Sequence, residues 1–208
     1  MPDQQSLGVF YNAPGWRHKD FYAFLLLQRV FGNFNSFLNS ECLADLPFQS
    51  NLTHEFMRAV PDLERYDAIF SPYSDCGIFG HYFFGDARYA QSMAYLGGII
   101  GPIMSEYLTD LEVTRAKNKM YNELLAIQAA SDQMQQYGPQ YLMLGRKIPR
   151  SEIATRISSL DAKTLRRVCK EWFVDCEPSF TSWGPADEIM SNGLYSEHKI
   201  GLQNMLQN

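Results

Sequence analysis

The sequence predicts an α+β fold, in which helices pack on one face of an antiparallel or mixed sheet. Segments with strand character occur near the start, in the middle and near the end of the chain, and a group of helical segments separates the last two. Two of the strands follow each other through a short turn, which favours a hairpin and therefore antiparallel pairing. With 208 residues, of which 46% are hydrophobic, the chain can bury a core without disulfides or a structural metal.

The first 65 residues predict one strand, one buried helix and a long connection. Residues 6–11 have strand character, and an Asn-Ala-Pro-Gly turn at residues 12–15 closes them. A helix follows over residues 19–31, and Gly32 ends it. Because this helix is apolar nearly all round, we expect it to be buried. Asparagine and proline interrupt residues 33–65, so we expect a long connection there with one short helix.

The middle of the chain predicts a hairpin followed by a helix. Residues 66–73 and residues 77–85 are rich in aromatic and β-branched side chains, and the turn at residues 74–77 joins them. The helix extends from residue 88 to about residue 100. We expect it to end at the Gly101–Pro102 pair, because a proline cannot donate to the helical hydrogen-bond ladder.

The longest predicted helix begins at Thr109. Thr109 and Glu112 form a capping box, in which the hydroxyl accepts the amide of Glu112 and the carboxylate reaches back to the amide of Thr109. Apolar residues then recur at steps of three and four along a helix of about 20 residues, which indicates one buried stripe. The stripe comprises Val113, Ala116, Met120, Leu124 and Ile127.

The last third of the chain predicts three shorter helices and a closing strand. The helices cover residues 131–144, 151–158 and 161–173, and Ser151 is the expected cap of the second. Residues 180–183 predict the strand that closes the fold.

The domain organisation follows from these elements. Residues 1–185 are expected to form a single domain, and residues 186–208 are expected to form a polar tail. The apolar runs fall short of the roughly 18 residues that a membrane-spanning helix needs, and the first residues do not resemble a secretory signal. We therefore expect a soluble protein with reduced thiols. The four cysteines contain no C-x-x-C motif, which argues against a zinc ribbon or a thioredoxin-type site.

Charge is distributed unevenly along the chain. The formal net charge of −5 argues against general nucleic-acid binding, yet residues 146–175 hold eight basic and four acidic residues. The helix at residues 161–173 carries the outward-facing cations Lys163, Arg166, Arg167 and Lys170. Two interpretations remain open: a solvated helix face, or a patch that docks on an acidic partner or an anionic membrane surface.

The motifs of common catalytic and metal sites are absent from the sequence. The segment that begins at His54 comes closest to the zinc motif H-E-x-x-H, but Arg58 stands at the position of the second ligand. Neither G-x-S-x-G nor a phosphate-binding glycine loop occurs, and Asp75 and Asp86 are interpreted as turn residues. The sequence therefore assigns no catalytic, metal-binding or cofactor-binding residue.

Four segments in order resemble one protein family. These are APGW at residues 13–16, YSDCGIFGHYFFGD at residues 73–86, TDLEVTRAKNKMYNELL at residues 109–125, and the stretch from GRKIP at residues 145–149 to the Gly-Pro at residues 184–185. Together they resemble the β subunit of mitochondrial processing peptidase and core protein I of respiratory complex III, in the pitrilysin-like metallopeptidase superfamily. The resemblance is to the second half of these proteins, whose two similar α+β halves form a clamshell.

The resemblance implies a function as well as a fold. The family's zinc motif H-x-x-E-H lies in the first half, so the resemblance implies a non-catalytic core subunit of complex III. Such a subunit is expected on the matrix side of the mitochondrial inner membrane, bound to other core-type subunits and to membrane subunits. Two alternatives stay open: one half of a split processing peptidase, whose other chain supplies H-x-x-E-H, or the same domain in complex I or ATP synthase.

Overall fold

The structure is a computed structural model that describes residues 4–36, 60, 62–126, 129–174 and 176–185. These residues contain five strands and six α-helices, in the order β1 (Gln4–Pro14), α1 (Phe21–Phe31), β2 (Asn33–Asn35), β3 (Leu63–Pro72), β4 (Cys76–Asp86), α2 (Ala90–Tyr107), α3 (Asp110–Ala126), α4 (Ala130–Leu144), α5 (Arg150–Ser158), α6 (Ala162–Cys169) and β5 (Ser179–Trp183). A 3-10 turn (Ala87–Tyr89) precedes α2, and a π-helical turn (Lys170–Val174) follows α6. The predicted tail and most of the predicted long connection lie outside the described residues.

The five strands form one antiparallel sheet, in the order β2-β3-β4-β1-β5. β3 and β4 form the predicted hairpin, and β1 pairs with β4 along its whole length, from Gln4 opposite Asp86 to Pro14 opposite Cys76. The last strand returns to the first, with Ser6 opposite Trp183. The prediction of an α+β fold is confirmed, and the sheet is antiparallel rather than mixed.

The core lies between the sheet and the helices. Alternate residues of β1 and β4 point to the helical side, and Val9 and Phe79 are completely buried there. α1 contacts β1 and β3 on one side and α3, α5 and α6 on the other, which explains why a helix that is apolar nearly all round is stable here. Phe24 and Phe173 pack on Phe79 with ring centroids 5.4 and 5.5 Å away. These rings join α1 and the π-helical turn to the sheet.

α2 does not end at Gly101–Pro102 but continues through the pair to Tyr107, so the predicted helix end is wrong. A glycine before a proline has no Cβ to clash with the proline ring, which allows helical backbone at that position. The missing amide of Pro102 leaves the carbonyl of Gly98 without its helical partner, and the buried hydroxyl of Tyr11 donates to this carbonyl at 2.9 Å. A contact from a distant strand thus replaces the lost bond.

We expect Tyr11→Phe to lower the free energy of unfolding by about 1 kcal/mol, because the buried carbonyl of Gly98 loses its donor. Pro102→Ala supplies a backbone amide that can donate to the same carbonyl. In that background Tyr11→Phe should therefore lower the free energy of unfolding by a smaller amount. Urea denaturation of the parent chain, the two single variants and the double variant measures the difference. Equal costs in the two backgrounds would contradict this account of the helix.

The helix ends differ from their predictions in two further places. Ser151 is not the cap of α5: Pro149 occupies the N-cap position, and no side chain makes a capping bond. The predicted helix over residues 161–173 is α-helical only to Cys169 and then widens into the π-helical turn. The wider turn shifts the inward position by one residue, so that Phe173 is buried while Trp172 is only partly buried.

Candidate partner surface

α6 is fixed in the fold by its apolar side and by its cap. The side chain of Asp161 accepts the amide of Thr164 at 2.7 Å, which begins the helix. Leu165, Val168 and Cys169 are completely buried, and burial raises the pKa of the Cys169 thiol. The opposite side of α6 therefore faces outward in a defined orientation.

Three of the four cations predicted as a partner contact lie on this outward side. Lys163 and Lys170 are exposed, and Arg166 is half-buried. The steps of three and four between them place the three side chains along one edge of the helix, and none of them forms an ion pair within the part of the chain that the structure describes. We name these three residues the α6 basic edge. Its charge is available to an acidic surface.

Arg167, the fourth predicted contact, is partly exposed and forms ion pairs with residues of this chain. Its guanidinium donates to Asp20 at 2.7 Å and to Glu171 at 2.6 Å. Asp20 is 3% exposed and sits directly before α1, so Arg167 joins α6 to the start of α1 across 147 positions of sequence. The hydrogen bond to Asp20 is the largest cause of the raised pKa of Arg167. The indole of Trp172 also approaches this carboxylate, at 3.5 Å.

Sequence reasoning did not find the Asp20–Arg167 pair. An aspartate before a buried helix has no local feature that distinguishes an ion-pair partner from a capping residue. The opposite charge of Arg167 was visible in the sequence, but only the fold brings the two residues together.

The histidines that the structure describes do not form a metal site. Across the described ranges there is no group of three or more histidine, cysteine or carboxylate side chains that could hold a metal ion. His81 is completely buried, its Nδ1 lies 3.0 Å from the hydroxyl of Tyr66, and burial lowers its pKa to about 3. His18 packs on Trp172, while His54 and His198 lie outside the described residues.

The remaining polar candidates belong to turns or to packing. Asp75 accepts the amide of Cys76 at 2.9 Å, and Asp86 accepts the amide of Arg88 at 2.8 Å, as expected for turn residues. Hydrogen bonds from its own amide and from Cys76 lower the pKa of Asp75, and those from the side chain and the amide of Arg88 lower the pKa of Asp86. Cys76, Cys169 and Cys176 are free thiols, and Cys42 lies outside the described residues. None of the described helices has the length and the apolar character needed to span a membrane.

Comparison with known proteins shows that the chain is similar in sequence to mitochondrial proteins. No family model matches. The chain is 29% identical over 189 residues to the mitochondrial-processing peptidase subunit beta of Mus musculus, in a match that covers 88% of this chain and 37% of that protein. It is 24% identical over 184 residues to the mitochondrial cytochrome b-c1 complex subunit 1 of Rattus norvegicus, again over 88% of this chain and 37% of the relative.

One solved structure has the same fold over nearly the whole chain. A chain of complex III2 from Candida albicans, with Inz-5 bound, superposes with a TM-score of 0.81 over 97% of this chain and 47% of that chain. At 16% sequence identity this likeness establishes the fold alone. The chain spans little more than a third of the length of the curated relatives that it matches.

Proposed function

We propose that this homologue of the mitochondrial-processing peptidase β subunit and of cytochrome b-c1 complex subunit 1 is a structural core subunit of respiratory complex III. The family resemblance drawn from the sequence motifs is confirmed by these relatives. The similarity to subunit 1 of the cytochrome b-c1 complex is the observation that carries the functional proposal.

The proposed location is the mitochondrial inner membrane, at its matrix side. Both relatives are mitochondrial proteins, which supports a mitochondrial location for this chain. We propose further that residues 1–185 act as one domain in this assembly. The α6 basic edge is the surface through which the domain contacts an acidic patch on a second core-type subunit.

The α6 basic edge gives a direct test of the assembly role. We expect Arg166→Glu combined with Lys170→Glu to reduce the amount of tagged protein that co-purifies with its complex several-fold, because like charges then face each other across the interface. Arg167 stays unchanged, since its bond to Asp20 stabilises the fold. Quantitative mass spectrometry of mild-detergent pull-downs provides the measurement.

The matched control reverses the same charge elsewhere on the surface. Lys119→Glu reverses the charge of one exposed lysine on α3 and should leave the yield of the complex unchanged, whereas Lys170→Glu alone should lower it. An equal loss of yield in these two single variants, or in neither, would remove the α6 basic edge from the interface.

A split processing peptidase is the second candidate function. The identity to the peptidase β subunit, 29%, is higher than that to subunit 1 of the cytochrome b-c1 complex, and this favours keeping the alternative. In that case a separate chain supplies H-x-x-E-H, and this chain helps to hold an extended peptide. Cleavage of an arginine-containing presequence by the purified assembly, abolished by a zinc chelator, would support the alternative; an assembly that contains respiratory subunits and cleaves nothing would exclude it.

A further inference from the structure

α4 carries an exposed apolar surface. Met134, Tyr141 and Leu142 on this helix are 73%, 56% and 84% exposed. Residues separated by three, four, seven or eight positions lie on the same face of an α-helix, so these three side chains and Gly138 form one strip. Gly145, which ends the helix in a left-handed conformation, continues the strip by one turn. We name these five residues the α4 apolar strip.

The strip faces away from the core, because a different side of α4 attaches the helix to the domain. Among the described side chains of α4, those of Tyr137 and Gln140 are buried. The side-chain oxygen of Gln140 accepts the backbone amide of Ile148 at 2.8 Å, and Arg17 donates to the carbonyl of Met143 at 3.2 Å. The helix is therefore held in one orientation, with an uncharged strip directed outward.

The strip is large enough to act as a contact site. From their exposed fractions, its three large side chains present roughly 450 Å² of surface. The largest apolar patch on a typical monomer is about 300–600 Å², and such patches often bind a partner. Two strips of this size packed together would bury about 900 Å² in total, which is typical of weak and reversible interfaces. The area therefore fits a reversible contact between two strips.

The order of large and small residues along the strip is self-complementary. Gly138 and Tyr141 are centred between residues 139 and 140, and so are Met134 and Gly145. Two antiparallel copies of α4 that meet at this point therefore place each of these large side chains opposite a glycine of the other copy. Beyond the chain neighbours and the local helix backbone, no atom lies within 4 Å of the position that a Cβ would occupy at either glycine. Both glycines thus leave space for a side chain of a second copy.

We propose that the α4 apolar strip is a self-association surface, on which a second copy of this chain packs its own strip in antiparallel orientation. Large side chains opposite glycines allow the two helices to approach closely, as ridges pack into grooves. The same residues serve both copies across a two-fold axis, so the contact closes as a dimer. The strip itself carries no charge, so the two copies do not repel each other there. This proposal concerns the chain's own surface and does not depend on which complex contains it.

Sedimentation velocity of the full chain, across a wide range of micromolar concentrations, tests the proposal. We expect a concentration-dependent equilibrium between monomer and dimer. Met134→Ser combined with Leu142→Ser should weaken the dimer about 100-fold, because both copies lose apolar surface. Leu111→Ser combined with Leu125→Ser is the matched control: it removes two exposed leucines from α3, which are 58% and 69% exposed, and should leave the dimer unchanged.

Gly138→Leu separates self-complementary packing from general apolar attraction. The new side chain adds apolar surface to the strip but fills the space that Tyr141 of the second copy would occupy. We therefore expect Gly138→Leu to weaken the dimer at least 10-fold. General apolar attraction would instead make association stronger. Thermal unfolding of each variant verifies that it is folded.

Several results would overturn the proposal. These include a monomer at every concentration, equal weakening by the α4 and α3 double-serine variants, and stronger association of the Gly138→Leu variant. A monomeric chain that floats with phosphatidylcholine vesicles, and loses this binding in the Met134 and Leu142 variant, would assign the strip to a lipid surface. A crosslink from position 142 to a different subunit, in place of a second copy, would assign it to another protein.

Discussion

Replacement of Gly101 by alanine is expected to lower the free energy of unfolding by about 2 kcal/mol, although alanine is normally the better helix former. The position that a Cβ would occupy at Gly101 lies 2.6 Å from Cβ and from Cγ of Phe173. Both atoms are close to the backbone of the π-helical turn, so the neighbour cannot move aside by a simple rotation. Phe173 is 1% exposed and packs against Phe24 and Phe79, and its displacement would disturb the aromatic core.

Gly138 provides the matched control for this substitution. It also lies inside a helix and directly before a proline, so alanine has the same propensity gain and the same steric cost before the proline ring at both positions. It differs in its surroundings, because no atom beyond its chain neighbours and the local helix backbone lies within 4 Å of the added Cβ. Urea denaturation should show Gly138→Ala to be close to neutral. Equal effects of the two substitutions would contradict the packing of α2 on Phe173.

Acidification from about pH 7.5 to about pH 5 is expected to reduce stability by about 2 kcal/mol through His81 alone. Burial lowers the pKa of His81 to about 3 in the folded protein, whereas the ordinary value is 6.5. Between these two values the unfolded chain binds a proton that the folded protein excludes, so protons favour unfolding. The full stability is present above the ordinary pKa of 6.5 and falls progressively as the pH decreases toward 3.

Substitution of the buried pair separates this effect from other titrating groups. His81→Phe combined with Tyr66→Phe removes both partners of this hydrogen bond together, so that neither is left without the other. Urea denaturation should then show that the free energy of unfolding falls less between the two pH values than it does in the parent chain. The expected difference is about 2 kcal/mol. An unchanged dependence would mean that His81 is accessible to protons in the folded protein.

Local sequence patterns predicted most elements of the fold because their physical causes are local. The capping box at Thr109 and Glu112 is present, with the carboxylate 2.9 Å from the amide of Thr109. The apolar run that predicted α1, and the short turn that predicted the β3–β4 hairpin, are likewise confirmed. In each case neighbouring residues decide the structure, so the sequence contains the necessary information.

The wrong predictions share a non-local cause. Gly101–Pro102 has the local features of a helix end, but Tyr11 satisfies the carbonyl that the proline leaves open, and Phe173 requires the glycine. The hydroxyl of Tyr11 and the carbonyl of Gly98 are 87 positions apart in sequence. A pattern within one helix cannot show that such a partner exists.

The candidate surface was predicted in part for the same reason. Helical spacing placed Lys163, Arg166 and Lys170 on the outward side of α6, and the structure has them there. Helical spacing also placed Arg167 with these three residues. Spacing alone does not show that the buried Asp20, directly before α1, lies close enough to Arg167 to form an ion pair.

The central claim is that this chain is a structural subunit of complex III, and native gel electrophoresis of mitochondria in mild detergent tests it most directly. Mass spectrometry identifies the proteins in the band that contains this chain. The account predicts co-migration with cytochrome b and with other core-type subunits. Migration with a zinc-binding H-x-x-E-H chain, in a band without respiratory subunits, would contradict the account and would establish a split peptidase in its place.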